Sequence, residues 1–107
     1  MKLAPAILNA KIHQAVEELK AYGAQQIILF GSAARGDADE YSDLDFVVIK
    51  QTNHRFLERL KEAALLVNVP GAVDILVYTP SEWQRMQDRE SPFAERVLAE
   101  GRVVYEA

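Results

Sequence analysis

The chain contains no cysteine, no run rich in lysine or arginine, and no long apolar stretch. The lack of cysteine excludes disulfides and thiolate metal sites. A membrane-spanning helix needs about 18 apolar residues or more, and the first residues also lack the apolar core of a signal peptide, so we expect a cytoplasmic protein with no membrane partner. A net charge of −4 without a basic run argues against direct binding of nucleic acid.

The 107 residues, of which 50% are apolar and 26% charged, have the composition of an ordinary globular chain. This length supports one core and leaves no room for a second one. We therefore expect a single domain over residues 1–107.

Apolar periodicity and turn signals divide the chain into alternating helices and strands. Helices are predicted over residues 5–22, from 52 or 53 to 67, from 79 onward and over 91–100, and strands over 25–30, 44–50, 72–78 and 102–105. The second helix has an apolar stripe that includes Phe56, Leu60 and Ala64, which we expect to face the core. Three or four strands with these helices predict an α/β (α+β, two-layer) domain with helices packed on one face of a mixed sheet.

Three acidic residues lie in or beside the predicted strands. Asp43 and Asp45 flank Leu44 at the start of one strand, and Asp74 stands inside the apolar run of another. Because strand side chains alternate, Asp43 and Asp45 project to the same side, about 7 Å apart. We expect that side to be the open face of the sheet. Neighbouring carboxylates on an apolar strand are unfavourable without a cation between them, and hard oxygen ligands suit Mg²⁺.

A Gly-Ser pair, Gly31-Ser32, follows the first predicted strand. Such a turn offers free backbone N–H groups, a hydroxyl and the start of a short helix, all of which suit a phosphate group. A P-loop is excluded because the lysine that must follow the second glycine is Asp37 here. An EF-hand starting at Asp37 is also excluded, since Ser42 and Val48 stand where glycine and glutamate are required.

The complete pattern resembles the nucleotidyltransferase fold of the DNA polymerase β superfamily, and in particular its minimal nucleotidyltransferase (MNT) members. Their signature is Gly-Ser, ten residues, Asp-x-Asp and a third aspartate on a later strand. Gly31-Ser32, Asp43, Asp45 and Asp74 fill every position. The resemblance extends over nearly the whole chain, because the order of the predicted elements agrees as well.

The resemblance implies transfer of a nucleoside monophosphate, AMP from ATP, to an acceptor hydroxyl. Asp43 and Asp45 would bind two Mg²⁺ ions about 3.5–4 Å apart. Asp74 would complete the site of the ion that activates the acceptor and is a candidate for taking the acceptor's proton. All three acids are thus both catalytic and metal-binding candidates.

The nucleotide-binding candidates are Gly31, Ser32 and Arg35. By resemblance, Ser32 and the backbone of the Gly-Ser pair would hold the β and γ phosphates of the nucleoside triphosphate. Arg35 is a further candidate because a guanidinium matches phosphate oxygens. An ion pair of Arg35 with Asp37, Asp39 or Glu40 is an equally good interpretation.

Stand-alone MNT proteins resemble the antitoxin of HEPN/MNT toxin–antitoxin pairs. With no acceptor-binding second domain expected, the acceptor would come from a small molecule, an oligomer of this chain or a separate protein. The resemblance favours a tyrosine of a HEPN-type toxin, with the chain acting as a type VII-like antitoxin. Two alternatives stay open: a non-catalytic antitoxin that inhibits its partner by binding, and a small-molecule nucleotidyltransferase of the aminoglycoside-modifying type.

Overall fold

The chain alternates helices and strands in the order that the sequence predicts. In this computed structural model, which describes residues 4–38 and 42–107, the elements are α1 (Ala4–Tyr22), β1 (Gln26–Phe30), α2 (Ser32–Arg35), β2 (Leu44–Ile49), α3 (Phe56–Leu66), β3 (Val73–Tyr78), α4 (Pro80–Asp88), α5 (Pro92–Glu100) and β4 (Arg102–Glu106). Residues 39–41 therefore lie outside the described part.

The described strands form a mixed sheet in the order β3-β2-β1-β4. β1 pairs antiparallel with β2 and with β4, and β2 pairs parallel with β3. Parallel neighbours need a crossover, and α3 supplies it. The predicted α/β class and mixed sheet are confirmed.

Helices cover both faces of the sheet, so the prediction of one covered face is wrong. α1 contributes Leu8, Ile12, Ala15, Val16 and Leu19 to the larger core on one face. On the other face, Trp83 of α4 and Val97 of α5 pack against Val47. The reason is that the strands are apolar on both sides, and a sheet of this kind must be covered twice. Asp45 shares the face of Val47, and its side chain is only partly buried.

The buried side of α3 also differs from the prediction. Arg59 and Ala63 are buried, whereas Ala64 is exposed and Phe56 and Leu60 are half-buried. Arg59 takes a core position because its guanidinium finds partners outside its own helix: it donates to the Val77 carbonyl at 3.2 Å and to Glu82 at 2.7 Å. A sequence pattern that counts only apolar residues assigns such an arginine to the solvent.

Local sequence signals predicted correctly where α4 and α5 begin. α4 begins with a capping box in which Thr79 Oγ1 accepts from the Glu82 N–H and the Glu82 side chain accepts from the Thr79 N–H. Ser91 caps α5 by accepting from the Ala94 N–H. α3 starts later than predicted, because Thr52 Oγ1 accepts from the His54 N–H in a turn before the helix.

Candidate active site

The sheet brings the predicted acidic residues together at one end. Asp45 on β2 and Asp74 on β3 are paired in register, so their side chains leave neighbouring strands on the same face. Asp43 lies immediately before β2. On the other side of β2, Asp45 is paired with Phe30, the last residue of β1. The turn that follows β1 therefore lies beside Asp45.

The charges of Asp43 and Asp74 act on Asp45. Burial raises the pKa of Asp45, and the charges of Asp74 and Asp43 and a hydrogen bond with Asp74 raise it further, while Arg35 opposes the shift. Asp45 is half-buried, and Asp43 and Asp74 are exposed. The site therefore has an excess of negative charge centred on Asp45, which a cation would relieve.

Gly31 holds the turn after β1 against the Asp45 carboxylate. Its φ of +73° and ψ of −156° form a conformation that residues with a side chain rarely adopt. A Cβ on Gly31 would collide with Asp45 Oδ2 and would lie 3.3 Å from Asp45 Cγ. Only glycine allows the backbone to come this close. Ser32 follows as the first residue of α2, so the predicted turn and short helix are both present.

Arg35 forms the ion pair that was the alternative interpretation of this residue. Its Nε donates to Asp37 Oδ2 at 3.1 Å, and its Nη1 lies 3.6 Å from Glu100 Oε2 on α5. Asp39 and Glu40, the other proposed partners, lie outside the described residues. Glu100 was missed by sequence reasoning, since nothing in the local pattern shows that the end of α5 comes close to α2.

The donor chemistry of the three acids fits a divalent cation, because carboxylate oxygens are the ligands that Mg²⁺ prefers. Within residues 4–38 and 42–107, however, no three acidic, histidine or cysteine side chains converge as a ready-made metal site. In this conformation the carboxyl groups of Asp45 and Asp74 act on each other directly, and this interaction raises the pKa of Asp45. The three acids therefore have suitable ligand atoms and lie near one another, but their side chains would have to rearrange to bind a cation together.

Two cavities lie along β3. One of about 230 Å³ adjoins Asp74 and lies between β3 and α3; its lining residues are Leu60, Ala64, Val73, Asp74, Ile75 and Leu76. A larger one, about 360 Å³, is lined by Phe56, Tyr78, residues of α4 and the segment that follows α4. Tyr78 is four residues along the strand from Asp74, about 13 Å away. The larger cavity is therefore remote from the acids, and only the smaller one belongs to their surroundings.

Comparison with known proteins identifies the class. Residues 10–104 match the nucleotidyltransferase domain family. Because the match spans most of the chain, the chain belongs to this family. The family expected from the Gly-Ser and aspartate motif, that of the nucleotidyltransferase domain, is confirmed.

Particular relatives agree with this class. A segment of 49 residues is 45% identical to the probable protein adenylyltransferase MntA of Haemophilus influenzae, and it covers 44% of this chain and 43% of that relative. The match thus spans less than half of the relative's length. With the motif, this similarity agrees with the MNT group within the family.

Two solved structures share the fold. One is a putative nucleotidyltransferase from Sulfolobus solfataricus, with a TM-score of 0.60, 18% identity, and coverage of 94% of this chain and 86% of that one. The other is a toxin–antitoxin with AMP-PNP, with a TM-score of 0.58, 19% identity, and coverage of 89% and 73%. Within the described part of this chain, no helix is both long and apolar enough to cross a membrane.

Proposed function

We propose that this chain is an Mg²⁺-dependent nucleotidyltransferase that transfers AMP from ATP to a hydroxyl on a separate protein, a tyrosine of a HEPN-type toxin, and so acts as an antitoxin. One observation carries the proposal: the glycine turn after β1 packs directly on Asp45, which is paired in register with Asp74. A phosphate-binding turn and the acidic residues are thereby held side by side.

Each site residue has a role in this reaction. Ser32 and the backbone of Gly31 and Ser32 bind the β and γ phosphates. Asp43, Asp45 and Asp74 hold Mg²⁺, which when bound supplies positive charge for the reacting phosphate oxygens. Relief of the excess negative charge around Asp45 favours cation binding.

The transfer forms one bond and breaks one. The acceptor hydroxyl oxygen bonds to the α phosphorus of ATP, the bond from that phosphorus to the β-phosphate bridging oxygen breaks, and pyrophosphate leaves. Asp74 is exposed and can accept the hydroxyl proton before passing it to solvent. Arg35, which is already paired with Asp37 and Glu100, contributes to the electrostatics of Asp45 and is a weaker candidate for a phosphate contact.

The relatives support the choice of nucleotide and acceptor. The Haemophilus influenzae relative bears the name of a protein adenylyltransferase, and the toxin–antitoxin neighbour was solved with AMP-PNP. Both names point to an adenine nucleotide, and together they favour a protein acceptor from a toxin–antitoxin pair.

The test is transfer of label from α-labelled ATP, in the presence of Mg²⁺, to the protein encoded next to this chain. We expect the neighbour to gain one or more AMP groups by mass. Asp74→Asn should reduce the rate by about 100-fold or more, the scale of a lost general base. Asp88→Asn, the same chemical change on exposed α4, is the matched control and should transfer at the wild-type rate.

A non-catalytic antitoxin is the second candidate, and the exposure of Asp43 and Asp74 favours it. Exposed carboxylates cost little folding free energy, so the chain can retain these acids even if they have no catalytic role. Neutralisation of the toxin by Asp74→Asn at full strength, with no label transferred by the wild type, would establish this candidate and reject the enzyme.

A further inference from the structure

α3 carries exposed apolar side chains, two of which, Leu57 and Leu65, lie outside the stripe that was expected to face the core. Leu57 is 68% exposed and Leu65 is 88% exposed. Ala64 is also exposed, and Leu60 is half-buried. With spacings of three, four and eight residues, these side chains lie on one side of the helix. No described residue covers this side.

The strand next to α3 is open as well. β3 is the last strand of the sheet, and among the described residues it pairs only with β2. Its outer edge therefore offers unpaired backbone N–H and C=O groups. The 230 Å³ cavity lies between this edge and α3, where Leu60 and Ala64 form its helical wall. We call the four α3 residues and the open β3 edge the α3–β3 surface.

The order of the strands relates this surface to the reaction. Across the end of the sheet lie first the Gly31 turn after β1, then Asp45 on β2, then Asp74 on β3, and finally the open edge. If the turn holds the phosphates, the acceptor must approach from the opposite side of the acids. That side is the open edge of β3.

We propose that the α3–β3 surface binds the acceptor protein and brings its hydroxyl to Asp74. The inference rests on the proposed function and adds to it the place where the acceptor docks. The occupant is a protein segment with apolar side chains, because every residue that lines the cavity is apolar except Asp74. A polycationic small acceptor would require a wall of acids, which this surface does not have.

The experiment compares leucines that are exposed on different helices. Leu65→Asp places a charge on the surface, and Ala64→Trp fills the cavity wall. Leu98→Asp on α5 is the matched control, since Leu98 is 52% exposed and lies outside the surface. Each variant is incubated with the neighbouring protein, Mg²⁺ and α-labelled ATP, and complex formation without ATP is followed by size-exclusion chromatography with light scattering.

We expect Leu65→Asp and Ala64→Trp to weaken the complex and to raise KM for the acceptor by about tenfold or more, as for residues at the centre of an interface. At saturating acceptor kcat should recover, and the thermal shift caused by Mg²⁺-ATP should equal that of the wild type. Leu98→Asp should change neither quantity. A retained thermal shift also shows that the variants are folded.

The failures of the two proposals are distinguishable. Absence of label with the wild-type chain would reject the proposed function and the docking inference with it. Label transfer by the wild type with unchanged KM in both α3 variants would reject the docking inference alone. Loss of self-association by Leu65→Asp, with unchanged acceptor kinetics, would assign the surface to a second copy of this chain and would likewise reject it.

Discussion

The acidic side chains at the two ends of β3 have opposite electrostatic surroundings. At the end where the strand begins, the charges of Asp74 and Asp43 act on Asp45, and Arg35 opposes them. None of these three acids forms an ion pair with a cation among the described residues. At the end where it finishes, the Glu82 carboxylate accepts from Arg59 at 2.7 Å and from the Thr79 N–H at 2.8 Å.

The pKa shifts follow this difference. Burial alone would raise the pKa of Glu82, but the hydrogen bonds from Arg59 and Thr79 lower it below its usual value. At Asp45, burial and like charges both act to raise the pKa. The charge of Glu82 is thus compensated within the chain, whereas the negative charge around Asp45 exceeds the opposing charge of Arg35. We call these the compensated and the uncompensated end of β3, and an uncompensated end of this kind is typical of functional sites.

The largest expected effect on stability is at the compensated end. Arg59→Ala removes a guanidinium that is 6% exposed and leaves Glu82 and the Val77 carbonyl without their partner. We expect a loss of about 3 kcal/mol, at the lower limit for breaking a buried pair because the Glu82 side chain is 35% exposed. Urea unfolding with an unchanged m-value measures it.

Arg85→Ala on exposed α4 is the control for that substitution. It removes the same side chain from a position without an ion pair among the described residues, so its effect should stay within about 0.5 kcal/mol. Equal losses in the two variants would show that the Arg59 contacts do not stabilise the fold.

Gly31→Ala should have the next largest effect. Gly31 and Gly36 both have positive φ, +73° and +84°, but a Cβ on Gly36 meets nothing within 4 Å. Alanine at either position is destabilised by roughly 1–2 kcal/mol, because a residue with a Cβ is strained at positive φ. Only Gly31→Ala also displaces the Asp45 carboxylate, so only this variant should lose the thermal shift caused by Mg²⁺-ATP. The same response in both variants would contradict a role for the close approach.

Ser32→Ala should have a moderate effect that is confined to the nucleotide. Loss of one hydroxyl contact to phosphate is expected to weaken ATP binding by roughly 1–2 kcal/mol and to leave the free energy of unfolding unchanged. Titration calorimetry with ATP and Mg²⁺ measures the affinity. Ser81→Ala, an exposed serine on α4, provides the comparison, and unchanged affinity in Ser32→Ala would make the Gly-Ser pair an ordinary turn.

The smallest effect is a gain in stability at the uncompensated end. Because the folded state raises the pKa of Asp45, stability falls as pH rises from the ordinary aspartate value through the raised one. Asp45→Asn removes this loss, so in metal-free buffer at neutral pH the variant should be more stable by a few tenths of a kcal/mol, after screening by solvent.

Urea midpoints in metal-free buffer, from acid to neutral pH, test the sign of this effect. The advantage of Asp45→Asn should disappear on acidification. Glu82 should behave in the opposite way, because its lowered pKa gives stability that is present above the usual glutamate range and is lost as pH falls through the lowered value. An advantage of Asp45→Asn that grows at acid pH would contradict the charge repulsion.

Features that depend on short-range signals were predictable from the sequence. The capping box at Thr79 and Glu82 fixes the start of α4. The family followed from the spacing of Gly31, Ser32 and the three aspartates. The features that the sequence did not predict depend on residues far apart in the chain. Arg59 is buried because its guanidinium donates a hydrogen bond to Glu82, which is 23 residues away. Strands that are apolar on both sides indicated a second covered face, but no local pattern shows that α4 and α5 are the helices that cover it.

The open edge of β3 has a consequence for solubility. An unpaired edge strand beside exposed leucines can add further strands from other chains, and a charged side chain within such a strand opposes this stacking. Asp74 is the exposed charge on β3. Its carboxylate would thus protect the chain from aggregation. A neutral residue at this position would remove that protection, so we expect the Asp74→Asn variant to precipitate at a lower concentration than the wild type.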